Sequence, residues 1–301
     1  MPFPTLSIRR TAGIGDAVVA TTIAAALTEC IMTKVVFRCH RLVAPVVKRC
    51  PFVVEVLNSI GPYGALHLDL DGVQPGPAQH LQEAFFAKAH KVLDPIVAGF
   101  ERVSWERYRP VLVGAVKRNR TNKAPVIAIC PRSEYNVRFV PDHIWRDFAS
   151  YFPRYSCVWL GKSQPPPGLL SVATQPVCAG QFDPKNTNLV STQEVPGVKA
   201  MTIEAVMDIL STADLYVGVD TGPMHIAAAL GVPCLVVGQA FDPKLRLPVN
   251  VPCRTNQVFY PPLTCLNCQK HQCPINPHIP PCQNIDPKAL AQAAMEMLKE
   301  G

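Results

Sequence analysis

Nowhere in the sequence do eighteen apolar residues run together without a charge, which argues against a helix that crosses a bilayer. The opening MPFPTLSIRR moves straight into a strand-like run and lacks the apolar core and cleavage site of a signal peptide. The chain therefore reads as cytoplasmic. In a reducing compartment no disulfide framework is expected, so the twelve cysteines are thiols or metal ligands. Acidic residues are the minority, 22 against 29 Lys and Arg, and the net charge of +7 suits an anionic ligand or a negatively charged surface. That charge is too small and too dispersed for a nucleic-acid partner. The one basic run, Lys117, Arg118, Arg120 and Lys123, reads as a solvated linker.

What is present is enough for two cores. A chain of 301 residues with 48% hydrophobic and 17% charged residues can fold as two compact domains. Strands are expected at Leu6–Arg9, Lys34–Arg38, Val53–Leu57 and Ala65–Leu70, with helices from the Gly13–Asp16 loop to Glu29 and over Ala78–Val92. The pattern turns polar around Lys117–Ala124 and then restarts. Strands follow at Pro125–Cys130, Ser156–Leu160, Leu215–Val219 and Cys234–Val237, and helices at Pro141–Phe152, Thr202–Ser211 and Pro223–Leu230. The run Pro165-Pro166-Pro167-Gly168 is a loop. This alternation predicts an α/β fold of two Rossmann-like domains with parallel sheets and a cleft between them. The expected division is residues 1–118, a linker at 119–124, and residues 125–301.

The strongest local signal is Ala213 to His225, a buried strand, a tight turn and a helix start. Thr221 is placed to cap the helix with its hydroxyl, Gly222 to let a ligand approach the main chain, and Pro223 to occupy the first helical position. The remaining amides then face outward at the carboxyl end of a strand, where open α/β sheets bind ligands and helix starts favour phosphates. Asp220 can accept from a sugar hydroxyl and His225 can reach back from the first turn. The plainer reading is a capped turn and a packed histidine.

Asp220-Thr221-Gly222-Pro223-Met224-His225, continuing to Pro233, resembles the signature of glycosyltransferase family 9, the lipopolysaccharide heptosyltransferases. Phe241-Asp242-Pro243 is similar to a later family loop, although Gly238-Gln239-Ala240 departs from its usual residues. Gly15-Asp16 looks like the family's Gly-Asp motif, with Thr22 where a proline is frequent. Cys130-Pro131-Arg132-Ser133 followed by Arg138 resembles the segment that meets the diphosphate, with Arg138 in place of a lysine.

The resemblance implies GT-B architecture and inverting transfer of a heptose from an ADP-sugar, with no cofactor required for catalysis. It implies a lipopolysaccharide-core or related glycolipid acceptor at the inner face of the membrane, with peripheral contact there. A protein hydroxyl is the alternative acceptor, and a non-catalytic binding module the alternative role. Inversion needs a base on the acceptor hydroxyl and positive charge or amides on the leaving phosphates. Asp16 is the expected base. Ser133, Arg138, Asp220, Thr221, Gly222 and His225 are the expected nucleotide-sugar ligands, whereas Glu204 ranks no higher than a helix-surface residue. Asp69-Leu70-Asp71 has the spacing of a metal-holding Asp-x-Asp but reads as a strand end.

Cys265, Cys268, Cys273 and Cys282 crowd into a proline-rich segment as C-x2-C-x4-C-x8-C. They offer the donor set of a structural zinc or iron site, with His271 and His278 in reserve, or else four thiols packed under a loop. Related clusters occur in part of the family, including iron-binding protein O-heptosyltransferases. A rival reading as an NADP-dependent oxidoreductase rests on Gly13-x-Gly15 and on Arg38 at a strand end; Val18 at the third glycine position weakens it. Oligomeric state is not legible.

Overall fold

The computed structural model describes residues 6–11, 13–31, 35–58, 66–114, 125–133, 135–161, 175–176, 200–248 and 256–299. The expected linker at 119–124, the basic run from Lys117 to Lys123 and the proline run at 165–168 lie outside them. Two compact units emerge: Met1–Val113 with Leu245–Pro252, and Gly114–Lys244 with Cys253–Gly301.

The first unit runs β1 (Leu6–Arg9), α1 (Ile14–Ile31), β2 (Val35–Arg38), α2 (Ala44–Val47), β3 (Val53–Leu57), β4 (Leu66–Asp69) and α3 (Leu81–Leu93). Its four strands are parallel in the order β3-β2-β1-β4. Because β2 and β4 flank β1, the direction of winding reverses between β1 and β4. Helix α1 is Ala-rich and almost entirely buried. Its buried threonines hand their hydroxyls back to the helix, Thr21 to Val18 O at 2.6 Å and Thr22 to Val19 O at 2.7 Å, so burial leaves neither unpaired. Leu247, which belongs to this unit, is tied in by His80, whose Nε2 lies 2.9 Å from Leu247 O.

The second unit runs β5 (Val126–Cys130), α4 (Asp142–Ser150), β6 (Ser156–Trp159), the two-residue strands β7 (Gln175–Pro176) and β8 (Ala200–Met201), α5 (Ile203–Thr212), β9 (Leu215–Val219), α6 (Gly222–Ala229), β10 (Cys234–Val237), β11 (Gln257–Phe259) and α7 (Pro287–Lys299). Its main sheet is parallel in the order β11-β10-β9-β5-β6. Strands β9 and β10 are buried along their whole length, as an uninterrupted apolar run in a sheet covered on both faces requires. On one face Ile127, Ile129, Leu215, Val217, Val219, Leu235 and Val237 meet Trp145 and Phe148 of α4 and Leu290 and Ala294 of α7. Helix α6 lies against β9 and β10, on the side where Cys234 Sγ reaches Met224 O at 3.9 Å.

Winding in this sheet reverses between β5 and β9. The two strands approach so closely at Cys130 and Gly218 that a Cβ on Gly218 would lie 2.4 Å from Cys130 O. Only glycine fits there without moving backbone. The expected α/β class, with two Rossmann-like units and parallel sheets, is what the structure has. No helix among the described residues is long and apolar enough to cross a membrane.

Candidate active site

In an open parallel sheet the loops on either side of the winding reversal diverge and leave room for a ligand. In the second unit those loops follow β5 and β9. After Cys130 the chain makes a short hairpin, held by Ser133 N to Arg138 O at 2.9 Å and Val140 N to Pro131 O at 3.0 Å. The Ser133 hydroxyl accepts from Tyr135 N at 3.2 Å and so fixes the turn. Arg138, on the returning arm, reaches the loop after β9. Its Nη1 donates to Asp220 O and to Asp220 Oδ2, each at 3.0 Å.

Asp220 is therefore committed to Arg138, and its side chain is only 6% exposed. Its other oxygen lies 3.8 Å from His225 Nε2, which comes from the first turn of α6. The Arg138 guanidinium also lies 5.0 Å from the Tyr135 ring and 5.2 Å from the Phe241 ring. Both contacts with Asp220 use one nitrogen, and the arginine side chain is 19% exposed, so Nη2 is left for an outside acceptor.

The turn into α6 differs from expectation in two ways. Thr221 does hold the N-cap position, in extended conformation, but its hydroxyl makes no cap hydrogen bond. The cause is local. The second helical position is Pro223, which has no N–H, and the amide of Met224 goes to Thr221 O at 3.0 Å. The His225 amide is aimed at the same carbonyl, at 3.4 Å. Amides beyond Pro223 are thus engaged, and what the turn offers a phosphate narrows to the Thr221 hydroxyl and the Gly222 amide. Pro223 itself is the second helical residue, not the first.

In the first unit the loops at the winding reversal follow β1 and β4. Arg10, 4% exposed, donates from Nη1 to Leu70 O at 2.8 Å, lies 5.3 Å from the Phe85 ring and forms an ion pair through Nη2 with Asp16. Asp16, third residue of α1, keeps 28% of its side chain exposed. Its carboxyl folds over Gly13, whose φ of +74° is left-handed and whose missing Cβ would sit 3.3 Å from that carboxyl. Sequence reading passed over Arg10, because nothing local marks a buried arginine whose partners lie at positions 70 and 85.

The Asp-x-Asp pair is engaged elsewhere. Asp71 accepts from the Thr11 amide and hydroxyl, both at 2.7 Å, and faces Arg9 Nε at 3.0 Å, while Asp69 faces Arg9 Nη1 at 3.2 Å. Glu204 is exposed in the first turn of α5, as a surface residue would be. Arg38 is buried at the end of β2.

Among the described residues no three His, Cys, Asp or Glu side chains form a group that could hold a metal ion. Cys273 belongs to a small apolar cluster with Val137 and Ala240, against which Cys268 and Phe241 pack. Cys282 is buried, with Sγ 4.0 Å from Val137 O. Burial, and then the neighbouring Cys273, push its thiol up to about 11 and favour the protonated form. The residues expected to hold a possible structural zinc or iron, Cys265, Cys268, Cys273 and Cys282, share one neighbourhood, since the other three all act on Cys282. Backbone hydrogen bonds hold the segment. Asn267 and Gln269, both left-handed with φ of 57° and 59°, send their amides to Gln239 O and Ala240 O at 2.9 and 2.8 Å.

Comparison with known proteins now has a geometry to refer to. Residues 65–279 match glycosyltransferase family 9 (heptosyltransferase). No curated protein matches the sequence. Among solved structures, a glycosyl transferase family 9 protein from Veillonella parvula DSM 2008 superposes with a TM-score of 0.67 at 11% identity, covering 100% of this chain and 98% of its own. The ADP-heptose lps heptosyltransferase II of E. coli gives 0.64 at 14%, covering 100% and 99%. The iron-containing heptosyltransferase TibC, from enterotoxigenic E. coli H10407 and solved with ADP-D-beta-D-heptose, gives 0.64 at 12%, covering 98% and 76%. At these identities the structural likeness speaks for the fold.

Proposed function

Because the chain belongs to glycosyltransferase family 9, the heptosyltransferases, and is a glycosyltransferase, we propose that it moves a heptose from ADP-heptose to a hydroxyl of a lipopolysaccharide-core acceptor, with inversion and without a catalytic metal. The observation that carries this reading is the meeting of Arg138 with the Asp220–Gly222 turn at the winding reversal of the second unit. The donor follows the ADP-heptose named for the E. coli and TibC structures.

In the proposed reaction the diphosphate lies against Arg138 Nη2, the Thr221 hydroxyl and the Gly222 amide. A guanidinium and a helix start supply the positive charge that the departing ADP requires. Asp220 and Ser133 hold Arg138 and its hairpin in place. Asp16 takes the proton from the acceptor hydroxyl, whose oxygen bonds to the anomeric carbon as the bond to diphosphate breaks on the opposite face. Arg10 fixes the carboxylate that does this. The Asp69 and Asp71 carboxylates, occupied by Arg9 and the Thr11 loop, have no part in the step. The reaction places the protein at the cytoplasmic face of the membrane, where a glycolipid acceptor is presented.

A thermal-shift panel of ADP-, UDP-, GDP- and CDP-sugars tests the donor. A ligand at a hundred times its Kd stabilises by about 2.7 kcal/mol, enough to raise Tm by several degrees. The ADP-sugar alone is expected to do so; a larger shift with another nucleotide, or none with any, contradicts the reading.

A further inference from the structure

The cysteine-rich segment carries one side chain that the proposed reaction does not use and that the geometry brings to Arg138 at one remove. His271 packs its ring against Tyr135 at 4.7 Å between centroids, tilted by 48°, and against Phe241 at 5.2 Å, tilted by 50°. These are the two rings that the Arg138 guanidinium lies over. Three segments far apart in sequence thus converge on one cation: the hairpin after β5, the loop after β10, and the segment beyond β11.

We infer that His271 is a positioning residue for the donor diphosphate, acting by holding Tyr135 and Phe241 in the places from which they orient Arg138; this rests on the reading that Arg138 binds that diphosphate. The physical case has three parts. A guanidinium over aromatic faces gains electrostatic attraction only while the rings keep their attitude. Tyr135 is 40% exposed and Phe241 only partly buried, so core packing alone does not hold either ring. His271, itself exposed, touches both and is the shared contact between them.

The backbone around His271 is anchored to the same loops, which makes its position a fixed one. Besides the Asn267 and Gln269 amides on Gln239 O and Ala240 O, Asn136 Nδ2 donates to Pro277 O at 3.1 Å, and Gln283 Nε2 donates to Asn136 O at 2.8 Å. The Gln239 side-chain amide ties Phe139 O and Cys282 O together at 2.9 and 3.0 Å. The segment therefore buttresses both loops that supply Arg138 with its rings, and Cys268 and Cys273 pack within it.

The test is ADP binding measured by calorimetry on four purified full-length proteins: wild type, His271→Ala, Arg138→Ala and the double variant. His271→Ala is expected to weaken ADP about three- to fivefold, the worth of an oriented cation–π contact. Arg138→Ala is expected to weaken it roughly tenfold or more, the worth of a charge-assisted hydrogen bond. Because His271 acts through Arg138, the double variant should bind no worse than Arg138→Ala alone. His271→Phe, which keeps a ring at the site, should restore affinity, and in turnover the His271→Ala defect should appear in kcat as well as in KM for the donor, because Arg138 also carries the charge of the departing ADP. Full additivity in the double variant, or wild-type affinity in His271→Ala, overturns the inference. If Arg138→Ala itself binds ADP normally, the donor site has been misplaced and the inference falls with it. Thermal melting of each variant confirms that folding is intact, and the exposed setting of His271 makes an unchanged Tm the expectation.

Discussion

Asp220 shows how one carboxylate can fix the residues around it. It holds Arg138 from a nearly buried position, so losing the charge removes the anchor and leaves a guanidinium in a partly buried setting. Asp220→Asn should destabilise the protein by about 1–3 kcal/mol, the usual cost of breaking a charged, partly buried hydrogen bond. Urea denaturation reads this as a lower midpoint at unchanged slope. Gly218 makes a purely steric demand. With a Cβ 2.4 Å from Cys130 O and 2.8 Å from the Tyr216 hydroxyl, Gly218→Ala must push β9 from β5. Overpacking of this kind costs about 1–3 kcal/mol, and a variant as stable as wild type would show that the strands are not so close.

Several residues were legible before the fold was known because their jobs are local. Gly13 leads into α1, whose first turn holds Asp16, and Thr221-Gly222-Pro223 spells a helix start. Arg10 was not legible, since its partners are assembled by the sheet. The hydroxyl cap of Thr221 was expected from residue type and failed because its usual donors are a proline and an amide already bonded to Thr221 O. Tyr135, Phe241 and His271 sit more than a hundred residues apart at the extremes, so no spacing rule gathers them.

Elements were more transparent than contacts, because buried parallel strands are written as short unbroken apolar runs and their helices as Ala- and Leu-rich stretches between them. What an element's end is fastened to is less visible. Helix α3 begins at His80, whose Nδ1 accepts from Gln82 N at 3.1 Å while Nε2 faces Leu247 O at 2.9 Å, and whose ring stacks on Trp105 at 4.8 Å. Both bonds are satisfied together only by the neutral ring with its proton on Nε2. Burial lowers the pKa of His80 below the usual 6.5, with the Leu247 carbonyl opposing it.

A histidine whose folded pKa is depressed binds protons more readily when unfolded, so its contribution is whole above about pH 6.5 and is lost as pH falls below that value. Melting temperature should therefore drop between pH 7 and pH 5. In His80→Gln the protein should start less stable at pH 7 and lose less over the same interval. Parallel curves for the two proteins would place the acid sensitivity elsewhere.

At the scale of the whole molecule the chain is two α/β units, each with a winding reversal whose loops carry the polar residues of interest. The same organisation sorts the thiols. Cys157 and Cys234 in the strands and Cys39 just after β2 are buried, and burial raises all three, Cys39 to about 12 and Cys157 to about 11. Cys265 and Cys268 are only half-buried. Native protein treated with a thiol reagent at neutral pH should be labelled at Cys265 and Cys268 before Cys39, Cys157 and Cys234, which stay protected until unfolding. Peptide mapping after brief labelling checks the order.

The central claim is that Asp16 removes the proton from the acceptor while the second unit holds the donor. The direct measurement is release of ADP from ADP-heptose in the presence of lipopolysaccharide-core acceptor, with chelator added, for wild type and Asp16→Asn, alongside the ADP affinity of each. Wild type should turn over with chelator present, and Asp16→Asn should lose roughly a hundred- to ten-thousandfold in kcat while binding ADP as tightly as before. A variant that turns over at the wild-type rate would contradict the account.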